Sequence, residues 1–440
     1  MPISQRIFRL GLLVAILLGM GLRFAHMRTC HNWLFDEHYY YYSTAYNAYQ
    51  GDGFVSAYST DREGVFVPSP GQAWFILATL PLCTYTDAEG NDAVLTIVPK
   101  LIQVLISGFT IALFGLIGRR LRSPTAGLIA AFAAAIYPGF VHWAGYLMSE
   151  NNYLFGLALL TWLLLRWIHR PYYRRAVLAA VVLGLLCFQR GNPMLLAPGL
   201  AGFSLLIMGW KRGWKPALTF AVLPMLILLP WRQFNVKRHG DPVWVSSNSG
   251  IAFHYDNRID LDPMQMPHWD DMQKTPLIPE IENQFRNEDD KLKTTYYRYA
   301  QAYLAHAKAY VLANPGHFLR NYFLKMWNQF TIVPSDAHYS VSFLRSTQLW
   351  HGMHHLLLLL GTAGFVLTLV SGRDRRSLLL LTMFAYFAAF GALFHITRDG
   401  RMALVLKVYL IFYAAWFIDW LCGLLRAKLS AQRPVTSEAS

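Results

Sequence analysis

At 440 residues the chain could fill two or three soluble domains of about 150 residues each. Its composition excludes that. Apolar residues make up 55% and charged residues only 15%, with a mean hydropathy of +0.28, whereas a soluble chain carries about 25% charge. Disorder, a coiled coil and an ordinary soluble enzyme fall away together, leaving a polytopic membrane protein with one substantial loop region. The net charge of +14 is not a nucleic-acid footprint. The Lys and Arg residues cluster beside apolar runs, where they set membrane orientation. Four cysteines make no disulfide framework. Cys187 and Cys422 fall in apolar segments, whereas Cys30 and Cys83 flank the first long loop and could pair if that loop is extracytoplasmic.

A membrane helix needs about 20 apolar residues. Segments 8–26, 93–118, 125–143, 150–168, 175–190, 194–210, 216–232, 350–371, 377–395 and 402–425 qualify or nearly do. They predict an all-α protein with about ten spans. Residues 71–83 are too short and follow Pro68 and Pro70, which suggests an interfacial or re-entrant helix. If 71–83 does not cross, every basic cluster lands on one side: Arg6 and Arg9, Arg119 to Arg122, Arg166 to Arg175, Lys211 to Lys215, Arg373 to Arg376, and Arg426 to Arg433. The positive-inside rule makes that side cytoplasmic, with both termini. Residues 27–92 and 233–349 then lie outside, and the first span is an uncleaved anchor. The expected units are an N-terminal membrane module (1–232), an extracytoplasmic region (233–349), C-terminal membrane helices (350–425) and a cytoplasmic tail (426–440).

A helix starting near Asp36 puts Tyr39, Tyr42, Tyr46 and Tyr49 on one face, suited to a membrane–water boundary. Gly51-Asp52-Gly53 ends it. The Asp36-Glu37 pair that opens this helix has two readings. Carboxylates favour a helix N-terminus through the dipole, and the same pair at headgroup level suits catalysis or a metal. In the second outer region, 239–250 reads as a turn and a strand-like run, 287–312 as helical, and Asn314-Pro315 as N-cap and N1 of a helix over 315–329.

Ionisable residues within spans are expensive and point to function. Lys100, Glu150, Arg190, Arg398, Arg401 and Lys407, with His142 and His395, all fall towards the outer ends of spans. Each basic side chain alone could be snorkelling to the interface. Together with Asp36-Glu37 they describe a basic, carboxylate-bearing cleft suited to an anionic headgroup on a lipid tail. His351, His354 and His355 have helical spacing that could ligate a metal. Phosphate-binding Gly-rich loops, CxxC pairs and HExxH are absent from the sequence.

Several motifs follow one another along the chain: Phe35-Asp36-Glu37-His38-Tyr39, Pro68-Ser69-Pro70-Gly71, Leu147-Met148-Ser149-Glu150-Asn151-Asn152-Tyr153, Gln189-Arg190-Gly191-Asn192-Pro193, Pro230-Trp231-Arg232 with Asn235, and Ser247-Asn248-Ser249-Gly250. Through them, over roughly residues 5–420, the chain resembles the C-type (GT-C) membrane glycosyltransferases that use polyisoprenyl-phosphate sugars. It is closest in style to the protein O-mannosyltransferase and aminoarabinose transferase group, the family 39-like enzymes. The resemblance implies juxtamembrane helices, an active site facing outward and a catalytic carboxylate on the first outer loop; the family often has eleven to thirteen spans, from which the count here, about ten (ten to twelve), departs. It departs from the family at Gln189-Arg190-Gly191, where Arg-Pro is usual. Asp36 is then the general base, with Glu37 and Glu150 orienting base or acceptor. Arg190 and Arg401 hold the donor phosphate, with Lys100 and Arg398 in support, and Tyr39, Trp231 and Asn248 line the substrate site. No metal is required, although a divalent ion on Asp36 and Glu37 is compatible. The partners are a polyisoprenyl-phosphate sugar, an extracytoplasmic acceptor and the bilayer. The alternatives are a transporter of polyprenyl-linked glycan, which needs a polar path across the bilayer, and a lipid-linked oligosaccharide ligase or polymerase.

Overall fold

The computed structural model describes residues 3–29, 36–54, 69–86, 92–94, 97–257, 278–286, 293–331, 347–371, 374–394 and 403–431. In chain order the helices are α1 (Gln5–Thr29), α2 (Asp36–Gln50), α3 (Pro70–Thr79), α4 (Ile97–Leu121), α5 (Pro124–Ile136), α6 (Pro138–Trp143), α7 (Ser149–His169), α8 (Tyr173–Gln189), α9 (Leu196–Met208) and α10 (Trp210–His239). They continue with α11 (Ser249–Asp256), α12 (Pro279–Phe285), α13 (Tyr296–Ala313), α14 (Pro315–Thr331), α15 (Thr347–Ser371), α16 (Arg375–Phe394) and α17 (Leu404–Ala431). Among the described residues the one sheet is a hairpin pairing Thr84–Thr86 antiparallel with Asp92–Val94.

Among the described residues six helices are long and apolar enough to cross a membrane: α1, α4, α10, α15, α16 and α17. Each of the ten predicted segments contains a helix among its described residues, but four fall short of that standard. Segment 125–143 breaks at Pro138 into α5 and α6; α8 has 17 residues and α9 has 13. The 21-residue α7 opens with the polar run Ser149-Glu150-Asn151-Asn152. Helix α10 runs past Arg232, the predicted end of its span, to His239. It stops where Gly240 takes φ 75°, a left-handed conformation suited to glycine. Residues 71–83 are a ten-residue helix and a single 3-10 turn, too short to cross.

The segments between the apolar helices differ from the sequence reading at several points. Residues 241–247 alternate between buried and half-buried, the period that suggested a strand, yet no strand forms. Their partners are side chains of α10: Asn235 donates to the Val243 carbonyl at 3.1 Å and the Trp231 indole to that of Val245 at 3.4 Å. Asn314 does not cap α14 with its side chain, but donates back to the Tyr310 carbonyl at 3.1 Å. Glu282 on α12 accepts the Tyr299 and Tyr303 hydroxyls at 2.7 and 2.6 Å. Burial, and then this bond, pushes the Tyr299 phenol up to about 12, so it stays a proton donor at neutral pH. Cys83 is a buried free thiol donating to the Thr79 carbonyl at 2.9 Å, so it forms no disulfide here; Cys30 lies outside the described residues.

One buried charge explains how α5 can break inside the bundle. Pro138 has no N–H, so the last carbonyls of α5 lose helical partners. Arg23, buried in α1, supplies the missing donors: its guanidinium reaches Ala135 O at 2.9 Å, Ala134 O at 3.0 Å and its own Gly19 O at 2.9 Å. Arg23→Met leaves the two α5 carbonyls unpaired, at about 1–3 kcal/mol each. We expect purified Arg23→Met protein to unfold about 5 °C or more below wild type in detergent. In a Pro138→Ala background, where an N–H can face Ala134, the loss should be smaller. Equal losses in both backgrounds would contradict the capping role.

Candidate functional site

Helices α7 and α8 run antiparallel about the short turn at 170–172, which brings the start of one beside the end of the other. Consecutive helical residues point about 100° apart, so the polar run at the start of α7 fans out to different neighbours. Glu150, with a side chain only 2% exposed, forms a close ion pair with the Arg190 guanidinium at the end of α8. Asn151 donates to the Gln103 carbonyl of α4 at 2.9 Å. Asn152 donates to Gln72 Oε1 of α3 at 2.9 Å. Tyr153 donates to Asn192 Oδ1 in the turn after α8, also at 2.9 Å.

Arg190 is held from several sides. Its Nε donates to Ser149 Oγ at 3.3 Å, and its guanidinium carbon lies 5.6 Å from the centre of the Tyr153 ring, a cation–π contact. The turn that follows is pinned by Tyr153 and by Tyr386 of α16, whose hydroxyl donates to the Asn192 carbonyl. Helix α3 docks here through its first turn. A Cβ on Gly71 would stand 2.8 Å from the Phe188 backbone, so only glycine fits. That first turn has no side-chain cap, and the buried Gln72 Nε2 has no partner among the described residues. Helix α2 packs on α3 through Tyr41 and Ala45 against Ala73, Ile76 and Leu80. Tyr42 and Tyr46 stack at 6.1 Å and Tyr49 is exposed, which gives the predicted tyrosine face.

The structure thus brings together Glu150, Arg190 and the helix that Asp36 opens. The backbone of α2 starts at Asp36, but the side chains of Asp36, Glu37 and Tyr39 lie outside the described residues, as do Arg398, Arg401 and His395 entirely. Lys100 is buried on α4, one turn before Gln103. Trp231 is buried in an aromatic cluster, 5.4 Å from Trp74 and 5.7 Å from Phe54 between ring centres, so its ring joins α10, α3 and the first loop. Asn248 accepts from Ser246 at 2.6 Å just before α11, and a Cβ on Gly250 would collide with the Ala300 carbonyl of α13. His351, His354 and His355 diverge: His354 is buried between Tyr137 and the Phe330 carbonyl, while the other two are exposed. No group of three or more potential metal ligands occurs among the described residues. Arg23, Gln72, Asn192 and Tyr386 are polar anchors the sequence reading missed. Arg23 carried a signal as an arginine inside an apolar run, and Asn192 as part of the 189–193 motif.

Removing one partner of a buried ion pair strands the other charge, at about 3–5 kcal/mol. Glu150→Gln and Arg190→Gln should each lower the unfolding temperature of purified protein clearly. The double variant should lose less than the sum of the two. Strictly additive losses would show that the pair is not coupled.

No family model matches the chain, and no curated protein does. Solved structures of an oligosaccharyltransferase from Archaeoglobus fulgidus do. The oligosaccharyltransferase AglB in complex with an inhibitory peptide and a dolichol-phosphate aligns at TM-score 0.53 and 14% identity, over 98% of this chain and 52% of that one. The oligosaccharyltransferase in complex with Zn and sulfate gives 0.53 and 15%, over 96% and 50%. Its apo form gives 0.55 and 16%, over 99% and 53%. The chain spans about half the length of the structures it matches, and at these identities the likeness is one of fold. That fold is the GT-C fold implied by the sequence motifs.

Proposed function

We propose that this chain is a membrane glycosyltransferase that moves a sugar from a polyisoprenyl-phosphate donor to an extracytoplasmic acceptor, whether protein, lipid or glycan, with inversion at the anomeric carbon. The observation that carries the reading is the convergence at one bundle end. There Arg190, tied to Glu150, stands beside the uncapped first turn of α3, and the helix opened by Asp36 packs on α3. These groups offer a guanidinium, the Gln72 amide and a helix N-terminus, a donor-rich setting that favours an anion. A lipid phosphate is that anion, and its polyprenyl tail would lie in the bilayer beside the bundle. The dolichol-phosphate in one neighbouring structure supports a lipid-linked donor, and the inhibitory peptide in that same structure supports a macromolecular acceptor. In this reading the protein lies in a plasma membrane with the Arg190 end facing outward, and the shorter apolar helices α7, α8 and α9 complete about ten crossings with α5–α6.

The chemistry follows from the groups. The acceptor oxygen attacks the anomeric carbon from the face opposite the phosphate, as its proton passes to the Asp36 carboxylate. The bond from that carbon to the phosphate oxygen breaks, and its electron pair leaves on the phosphate. Because the leaving group is already an anion, it needs positive charge and hydrogen-bond donors rather than a general acid. Arg190 fills that role, with Lys100, Arg398 and Arg401 as further cationic candidates. Glu150, engaged by Arg190, positions the arginine and not the acceptor, a change from the role first read for it. Trp231 and Asn248 shape the walls, with Tyr39 near the base. The zinc-bearing neighbour supports a divalent ion on Asp36 and Glu37. Adjacent helical side chains point about 100° apart, so one ion on both needs further ligands. A second reading, transfer of a whole lipid-linked oligosaccharide, is favoured by the oligosaccharyltransferase fold and differs in the mass of the product.

Asp36→Asn keeps size and removes basicity, so purified protein should fold, bind donor and lose about 10²–10⁴-fold in transfer rate. Glu37→Gln should lose less, unless chelator-treated wild type is also inactive, the sign of a bridging metal. Transfer by folded Asp36→Asn within about threefold of wild type, far short of the loss for a missing base, would reject Asp36 and move the role to Glu37.

A further inference from the structure

Helix α14 is built inside out for a surface helix in water. Its exposed stripe is Leu319, Phe323 and Trp327, spaced four apart and 52%, 57% and 62% exposed. Its opposite face buries Asn321, Lys325, Asn328 and Gln329. In water a helix exposes such a polar face and buries the apolar one. The polar face has built-in partners: Lys325 Nζ donates to the Asp256 carbonyl at 2.9 Å and to Asn257 Oδ1 at 2.8 Å.

The position of the C-terminal end decides what covers the apolar stripe. Gln329 Nε2 reaches the carbonyl of Ala388, six residues before the end of α16 at Phe394, or about 9 Å in at 1.5 Å per residue. The Phe330 ring lies 5.6 Å from that of Phe384, deeper along the same apolar helix. Within a bilayer the last carbonyls of a helix find no water and need donors from the protein. Lys407 of α17 supplies them, with its buried Nζ 3.0 Å from the Gln329 carbonyl and 3.1 Å from that of Phe330, while His354 Nε2 sits 3.0 Å from the latter. The N-terminal end instead joins the polar helix α13 through Asn314, with Arg320 exposed nearby.

We propose that α14 descends obliquely from the Arg190 end of the bundle into one leaflet without crossing it, and that its Leu319–Phe323–Trp327 stripe is covered by lipid acyl chains. Lys407 acts as the buried counter-charge that lets the helix end there. This rests on the packing and polarity of α14 and is independent of the catalytic reading.

The test is site-directed spin labelling of the full chain, with its four cysteines replaced, in phosphatidylcholine vesicles. Labels at Leu319, Phe323 and Trp327 should collide preferentially with dissolved oxygen, and a label at Arg320 should favour a water-soluble nickel chelate. The oxygen-to-nickel ratio should rise several-fold from Leu319 to Trp327. Nickel-dominated collisions at Phe323 and Trp327 would overturn the proposal, as would low access to both reagents, the sign of a second copy or another protein on the stripe. If labelling disturbs the fold, wild-type chain can be photolabelled with a diazirine on a lipid acyl chain and mapped by mass spectrometry. Adducts in the peptide carrying Phe323 and Trp327 are expected. Labelling of the exposed Leu356 and Leu359 on α15 without any there would equally overturn the proposal.

Discussion

The ion pair between Glu150 and Arg190 fixes how one end of this bundle is assembled. Each member sits at a helix end, and neither charge could be buried without the other. With the pair closed, the first turn of α7 is oriented, and Asn151, Asn152 and Tyr153 each reach a different element. Those bonds place α4, α3 and the 190–193 turn relative to one another, and Tyr386 adds α16. The helix that carries Asp36 is placed in turn by packing on α3. A chain of single contacts thus runs from a buried charge pair to the helix that carries the proposed base.

A second constraint acts throughout the apolar part of the molecule. Where water is excluded, each interruption of a helix exposes carbonyls that the protein must satisfy itself. Arg23 does so where Pro138 breaks α5, and Lys407 does so at the end of α14. Both are long cationic side chains inside apolar helices. Neither contacts an acidic side chain in the bonds described; their partners are backbone carbonyls. Such residues are easily mistaken for substrate ligands when seen only as charges within a span. Lys407, grouped by sequence with the substrate-facing cations, has a structural task of this kind.

Much of the fold was legible because hydrophobic length and period report which residues are helical. Each of the ten apolar segments contains a helix, Pro315 opens α14 as its N1 position predicts, and residues 71–83, which form α3 and the turn after it, are too short for a span as expected. What failed were boundaries and partners. The alternation at 241–247 reports burial on one side, and a strap held by side chains has the same alternation as a strand. Motifs at 147–153 and 189–193 marked the site because polar residues are costly next to apolar helices. Their pairings join residues far apart in sequence: Asn152 and Gln72 are 80 apart, Tyr386 and Asn192 are 194 apart. Periodicity gives the face of a helix but not its neighbour, so these anchors could not be read from one chain.

The proposed function requires that the Arg190 end of the bundle receive the phosphate of a lipid-linked donor. An electron cryomicroscopy structure of the full chain in nanodiscs with a non-hydrolysable polyprenyl-phosphonate sugar tests it directly. Phosphonate density is expected within hydrogen-bond reach of Arg190 and the first turn of α3, with the sugar towards the start of α2. Density for the headgroup at the opposite end of the bundle, or away from both Arg190 and α3, would contradict it.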